Sequence, residues 1–356
     1  MRKTLRFILW FIAGLGLALV GFILFAWLNK YKPADIEPIL PLKSINQAPT
    51  PKRLPDTLRL VTWNIGYAGL GASMDFFYDG GKRVRCSLEE TLKNLQEILR
   101  HPALNHRPHF ILMQEVDHYA RRTYFINEVD TISAAFPAYS AWFVKNYDVK
   151  FVPVPWYNPM GRVVAGLLTL SPYSPIESIR LRLPGQFDFV TQLFMLNRCA
   201  HLLRFPAGPD RELVIINTHN TAFDDGTQRI AQWEFLRELA LKEYGKGNYV
   251  IIGGDFNLNP PCFNHNLIDT GDTAYALPGG FPPCDSYPQE WNFVYQKAKP
   301  TNRNVDTPYH KGRTPVTTID FFILSPNLSC IHSQTWYDGF RFSDHNPVEI
   351  EVVLQK

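Results

Sequence analysis

Residues 249–257 read YVIIGGDFN. Tyr249 is followed by the β-branched run Val250, Ile251 and Ile252, a composition that favours a strand. The segment then closes on Asp255 and Asn257. Two side chains one residue apart on an extended segment point to the same face, so this pair is placed to act on one group jointly. A lone polar residue at a strand end is more often a cap or a turn former. What decides the fold is whether other strands end in the same way.

They do. LVIINTH (213–219) closes on His219, LRLVTWNI (58–65) alternates as a strand through Asn64, and HFILMQEV (109–116) is apolar until Gln114 and Glu115. Asp320 lies inside TIDFFIL (318–324), and Ser343-Asp344-His345-Asn346 precedes PVEIEVVL (347–354). Further strands are expected at 138–145, 162–170, 189–205 and 329–336. Ser87 and Glu90 form a capping-box pattern ahead of Leu88, Leu92, Leu95 and Leu99, whose spacing predicts an amphipathic helix over 88–100. Helices are also expected over 121–135 and over 228–244, the latter stopped by Gly245. Many strands with interspersed helices predict one α+β domain built on two packed sheets.

Seven blocks in this order, TWNIG (62–66), LMQEVD (112–117), AGLLTLSPYSPI (165–176), INTHN (216–220), GGDFNLNP (253–260), IDFFILSP (319–326) and FSDHNPV (342–348), resemble the endonuclease/exonuclease/phosphatase superfamily. That is the fold of deoxyribonuclease I, abasic-site endonucleases, neutral sphingomyelinases and inositol-polyphosphate 5-phosphatases. The resemblance spans about residues 58–354. It implies a four-layered α/β sandwich with two central, mostly antiparallel sheets and an active site at one edge of them.

The resemblance also implies roles. Mg²⁺, or Mn²⁺ in its place, is a hard cation held by one or two carboxylates with open positions for phosphate oxygens. Glu115 is the expected principal ligand, completed by Asn64 and Asp344. Asp255 is expected to activate or align the attacking water, and Asn257 to orient it or the phosphate. His345 matches the family's histidine paired with a carboxylate, here Asp320, which fixes the imidazole and favours its charged form for stabilising negative charge in the transition state. His219 stands where nucleases and sphingomyelinases of the family carry a second phosphate-contacting histidine, a candidate proton donor to the leaving oxygen.

Arg229 and Gln232 follow a family R-x-x-Q pattern and are read as packing residues, with Arg122 as a supporting residue. His201, His265, His310 and His332 fall outside the blocks and are read as surface or packing histidines. Two insertion-like stretches, 67–85 and 262–317, adjoin the blocks. The first carries Met74, Phe76, Phe77 and Tyr78; the second carries Trp291, Phe293 and Tyr295 with Lys297, Lys299, Arg303, Lys311 and Arg313. Each either walls the substrate site or packs onto the body.

The chain has 356 residues, 46% hydrophobic and 19% charged, which suits a large core and excludes a disordered protein. Its formal charge of +3 is unevenly spread. Residues 1–32 hold Arg2, Lys3, Arg6, Lys30 and Lys32 with no acidic side chain, so the remainder carries 31 basic against 33 acidic residues, a net of −2. Residues 7–28 contain no charge, and 22 residues of helix cover roughly 30 Å, the thickness of a hydrocarbon core. A cleaved signal peptide is the alternative, but its apolar region is normally shorter and ends at a small-residue site. The reading is a basic segment (1–6), a single transmembrane helix (7–28), a Pro-rich stalk (29–57) and a catalytic domain (58–356), with the body extracytoplasmic. The five cysteines lack metal-binding spacing, and in an oxidising compartment Cys262 with Cys284 makes the most economical disulfide.

The function expected from the resemblance is a membrane-anchored, metal-dependent phosphoesterase. It would hydrolyse a phosphodiester or phosphomonoester by in-line attack of water, on a phospholipid or sphingolipid head group. A membrane-tethered endo- or exonuclease is the alternative, weakened by a body with no surplus of phosphate-neutralising charge. A scaffold of the same fold without catalysis is the third reading; the complete set of polar residues argues against it.

Overall fold

The computed structural model describes residues 2–42, 53–277 and 282–355. In chain order the elements are α1 (Arg2–Leu28), β1 (Ile36–Pro38), β2 (Thr57–Asn64), α2 (Leu88–Leu99), α3 (Pro102–Asn105), β3 (Phe110–Asp117), α4 (Glu128–Ala135), β4 (Ser140–Val152), β5 (Gly161–Ser171), β6 (Glu177–Arg182), β7 (Cys199–Pro206) and β8 (Glu212–His219). They continue with α5 (Thr227–Gly245), β9 (Tyr249–Asp255), β10 (Thr273–Ala274), β11 (Asn292–Val294), β12 (Asn302–Arg303), β13 (Pro315–Thr317), β14 (Asp320–Leu324), β15 (Leu328–Thr335) and β16 (Val348–Leu354).

Seven strands form one sheet in the order β1-β6-β7-β8-β9-β14-β11, and six form a second in the order β15-β16-β2-β3-β5-β4. Within them only β2 with β3 and β8 with β9 run parallel, so both sheets are mostly antiparallel, as the resemblance implied. The sheets pack face to face through Leu60, Phe110 and Leu112 of one and Leu213, Ile251 and Phe322 of the other. The outer face of the seven-stranded sheet is covered by α5 through Trp233, Leu236 and Ala240. That of the six-stranded sheet is covered by α2 and α4 through Leu95, Ile98, Val129 and Ile132. The result is four layers around one central core.

The local rules hold where the sequence states them fully. Ser87 accepts from the Glu90 amide, and the Glu90 carboxylate accepts from the Ser87 amide, closing the capping box of α2. Cys262 and Cys284 are joined, clipping the long connection after β9. Three expectations change. The helix expected over 121–135 forms only from Glu128, because Tyr124 and Phe125 turn left-handed and Asn127 caps α4 by accepting from the Asp130 amide. The strand expected over 189–205 begins at Cys199; residues before it form a short 3₁₀ turn at Thr191–Leu193. The stalk is not free of the body: Ile36–Pro38 pairs antiparallel with β6, and Leu42 bridges to Ala141. The Pro-rich residues 43–52 lie outside the described residues.

Candidate active site

The two parallel strand pairs explain why distant motifs meet. In β8 and β9 His219 stands in register with Asp255, and in β9 and β14 Asp255 stands opposite Asp320. In the other sheet Asn64 pairs in register with Gln114, next to Glu115. The strand ends of both sheets therefore open on one side, where the loop 343–346 closes over them.

Each polar side chain is aimed by a local device. A bulge in β3 between Met113 and Val116 leaves Glu115 at φ 53°, a left-handed conformation that turns its carboxylate out of the ladder and into the cleft. Gly254 allows β8 and β9 to close, since a Cβ there would lie 2.0 Å from the Thr218 carbonyl oxygen. Asn257 is not on an extended segment with Asp255 as the sequence suggested. Its φ is 50°, its amide N–H donates to Asp255 Oδ1 at 2.9 Å, and its side chain donates to the Asn220 carbonyl at 3.0 Å, so a tight turn brings the pair to one site. The Ser343 hydroxyl donates to the Asn64 carbonyl at 2.8 Å and Trp63 Nε1 to the His345 carbonyl at 2.9 Å, pinning the last motif onto β2.

The groups converge on a pocket of about 250 Å³ whose lining includes Glu115, His219, Asp255, Asn257, Asp344 and His345. Asn64 Nδ2 sits between two carboxylates, 2.9 Å from Asp255 Oδ2 and 3.2 Å from Glu115 Oε1, while its oxygen accepts from the Gly66 amide. In this arrangement Asn64 orients the acids through its N–H groups, and its oxygen keeps a second lone pair beside the Gly66 bond. Asp320 Oδ2 lies 2.8 Å from His345 Nδ1, and the other ring nitrogen, Nε2, is 3.8 Å from Asp255 and Asp344 and 3.0 Å from the Asn302 amide. His219 Nε2 stands 3.5 Å from Asp255 and 3.8 Å from Glu115.

Burial pushes Asp344 up to about 6, with Glu115 adding to the effect. It also raises Asp255, beside Asp320. Burial alone would lower His345, but Asp320, Asp344 and Asp255 outweigh it and hold its pKa well above the usual histidine value, which favours the charged ring. His219 goes the opposite way: burial and the nearby Arg198 keep it neutral. His219 can thus offer an N–H hydrogen bond but carries no spare proton of its own. Carboxylates made reluctant to ionise by burial are stabilised in their charged form by a divalent cation placed beside them. Asp255, Asp320 and His345 bring ligand atoms within 4.8 Å of one another, but Asp320 and His345 already satisfy each other. Glu115 and Asp344 line the same pocket and offer further carboxylate oxygens to a hard cation.

The sequence matches the endonuclease/exonuclease/phosphatase family over residues 61–345, most of the chain. The chain belongs to that family. Its members are metal-dependent hydrolases of phosphoric ester bonds, and this protein is one of them. No curated protein matches the sequence. Among solved structures, the human Nocturnin catalytic domain with bound sulfate is 17% identical with a TM-score of 0.53, over 85% of this chain and 97% of that one. D. rerio TDP2 complexed with single-strand DNA product is 14% identical with a TM-score of 0.52 over 84% and 99%. ANGEL2, a 2′,3′-cyclic phosphatase, is 14% identical with a TM-score of 0.52 over 84% and 96%. At these identities the likeness is one of fold.

Of the supporting residues, Arg122 donates to Asp117 at 2.8 and 3.0 Å and stacks 3.6 Å from the Tyr67 ring, a buried brace behind Glu115. Arg229 donates to the Asn257 carbonyl at 3.1 Å, and Gln232 both accepts from the Thr221 amide and donates to its hydroxyl, so this pair braces the catalytic turns. His201 is buried between the sheets against Thr169 and pushed down to about 3 by burial, while His310 and His332 are exposed. The insertions divide by role. Tyr78, Asp79 and Phe76 wall the pocket, with burial raising Asp79 to about 7, whereas Trp291 and Phe293 pack beside Trp233. Arg303 donates to the carbonyls of Gly71 and Met74, tying the two insertions together.

Arg198 and Asn146 were not legible as site residues. Both line the pocket, and Arg198 Nη1 and Asn146 Nδ2 are buried without a hydrogen-bond partner among the described residues. The only sequence cue was Asn197-Arg198 interrupting an otherwise apolar stretch.

Proposed function

We propose that the protein is a membrane-anchored phosphoesterase that cleaves a lipid-linked phosphoester by attack of water at phosphorus. The reading divides the chain into an anchor at 7–28 and a catalytic body from 58 onward, with the body outside the cytoplasm. The observation that carries it is the meeting of Glu115, Asp255 and Asp344 with the His345–Asp320 pair on the floor of one pocket. The same pocket carries a polar set that includes Arg198 and Arg303 and an apolar set of Leu70, Phe76, Tyr78, Met160, Leu196 and Phe223. Such a division suits a phosphoester joined to an apolar group.

Glu115 and Asp344, with Asn64 holding Glu115 in place, would bind Mg²⁺ or Mn²⁺, which supplies charge neutralisation at the phosphate when bound. Asp255 accepts a proton from, or aligns, the water, and Asn257 fixes its direction or that of the phosphate. The His345 imidazolium, held by Asp320, faces the charge that develops on the phosphoryl oxygens. Neutral His219 donates an N–H to the phosphate. Arg198, near His219 in the pocket lining, adds a further positive group.

The test uses the full chain in detergent micelles with bis(p-nitrophenyl) phosphate. Hydrolysis is expected with Mg²⁺ or Mn²⁺, lost on chelation, and reduced by at least about a thousandfold in Asp255→Ala. Metal-independent hydrolysis, or full activity in folded Asp255→Ala, would overturn the reading. Comparison of sphingomyelin, phosphoinositide, DNA and RNA then identifies the substrate class; preference for DNA or RNA favours the nuclease alternative.

A further inference from the structure

Helix α1 is in contact with the body over its last two turns. Phe22 stacks on Phe194 with ring centres 5.7 Å apart and meets Phe151 edge-on at 6.2 Å, while Ala26 is buried and Lys30 bonds to Gln192. These contacts fix how deep the body sits. If α1 crosses the bilayer and the body stays wholly outside it, only residues 7–21 remain for the hydrocarbon, about 22 Å of helix against a core of about 30 Å. The deficit is removed if the segments touching Phe22 lie in the leaflet themselves.

Those segments have the surface this requires. The end of β4 and the loop after it present Phe151, Val154, Trp156 and Tyr157, with Trp156 87% exposed. The segment before β7 presents Phe189 and Val190, with Phe189 54% exposed. Scattered exposed apolar residues need no explanation. Here they are concentrated on the two segments that grip Phe22. Trp and Tyr are the side chains that settle at a membrane interface, one end apolar and the other wet. The same second segment continues into Met195 and Leu196, which wall the catalytic pocket.

We infer that Phe151, Val154, Trp156 and Tyr157 with Phe189 and Val190 form a leaflet-inserted face beside α1, with Asp188 at the headgroup level, which sets the pocket mouth at the membrane surface so that a phosphoester enters without its apolar part crossing water. This rests on the anchored reading above and goes beyond it, since an anchor alone would leave the pocket's height and orientation free. The occupant is the outer leaflet around α1, not a second copy of the chain.

The experiment reconstitutes the full chain and Trp156→Phe in phosphatidylcholine vesicles, with and without brominated acyl chains, and compares tryptophan quenching. Trp10 and Trp27 of α1 serve as the internal reference. The expected result is quenching in both proteins, with a larger quenched signal in the wild type by the share due to Trp156. Equal quenched signals in the two would show Trp156 in water and overturn the inference while leaving the anchor intact. No quenching in either would overturn the anchor as well. Unquenched Trp156 together with a doubled mass in micelles would assign the face to self-association instead.

Discussion

Asp320 Oδ2 lies 2.8 Å from Nδ1 of His345, both side chains are buried, and the pair stands directly against Asp255. The carboxylates around His345 hold its pKa well above the usual value despite burial, so its charged form persists through neutral pH and is lost only on the alkaline side. Asp320→Asn removes the nearest of these carboxylates. The expected outcome is a fall of about a hundredfold in kcat, with the alkaline limb of the pH–rate profile moved to lower pH. An unmoved limb would mean that His345 does not act as an imidazolium.

Gly66 has φ 50°, and a Cβ there would lie 2.7 Å from Asp344 Oδ1 and 3.2 Å from the Ser343 hydroxyl. Gly66→Ala should displace Asp344 and strain the turn by about 1–3 kcal/mol. We expect a modest drop in Tm with a much larger loss of activity, and a raised metal concentration for half-maximal rate. A variant with wild-type metal dependence would place Asp344 outside the metal site.

Among the described residues Arg198 has a buried guanidinium nitrogen without a hydrogen-bond partner, an arrangement that costs stability until an anion arrives. Arg198→Met is similar in length and carries no charge. It should raise Tm slightly while raising KM for a phosphodiester by about tenfold or more. Inorganic phosphate should stabilise the wild type against heat more than the variant.

Away from the site, Arg204 donates to both oxygens of Glu243 at 2.6 and 2.9 Å, with Lys246 and Asn248 adding two more bonds. Burial opposes ionisation of Glu243, but these bonds win and draw its pKa down to about 2. A depressed carboxyl stabilises the fold above its unfolded pKa of about 4.3, and that stability is lost as pH falls towards 2. Glu243→Gln is therefore expected to cost about 1 kcal/mol at pH 7, since Arg204 keeps Glu177 and Glu212, and progressively less below pH 4. Urea titrations of both proteins in detergent at several pH values check this.

Much of the fold was written in local sequence. Strand-end polar residues, the capping box at Ser87 and the apolar run at 249–252 each follow from short-range rules that tertiary contacts did not override. Residues 121–127 show where such rules stop: their composition permits a helix, but packing of Arg122 onto Asp117 and Tyr67 holds the segment in a tight turn instead. The edge strand Ile36–Pro38 was equally invisible, because a three-residue strand has no periodicity and exists only by pairing with β6.

The sequence by itself determined which groups can do chemistry: the identities of Glu115, Asp255, Asp344, His219 and the His345–Asp320 pair, and their placement at strand ends. Only the tertiary structure decided their states. Register brings Asp255 against Asp320 and His219, a bulge aims Glu115, and burial among carboxylates charges His345 while neutralising His219. A protonation state depends on the field and solvent exposure produced by the whole fold, which no single segment contains. The same holds for Arg198 and for the contact of Phe22 with Phe194. Both are set by what surrounds them.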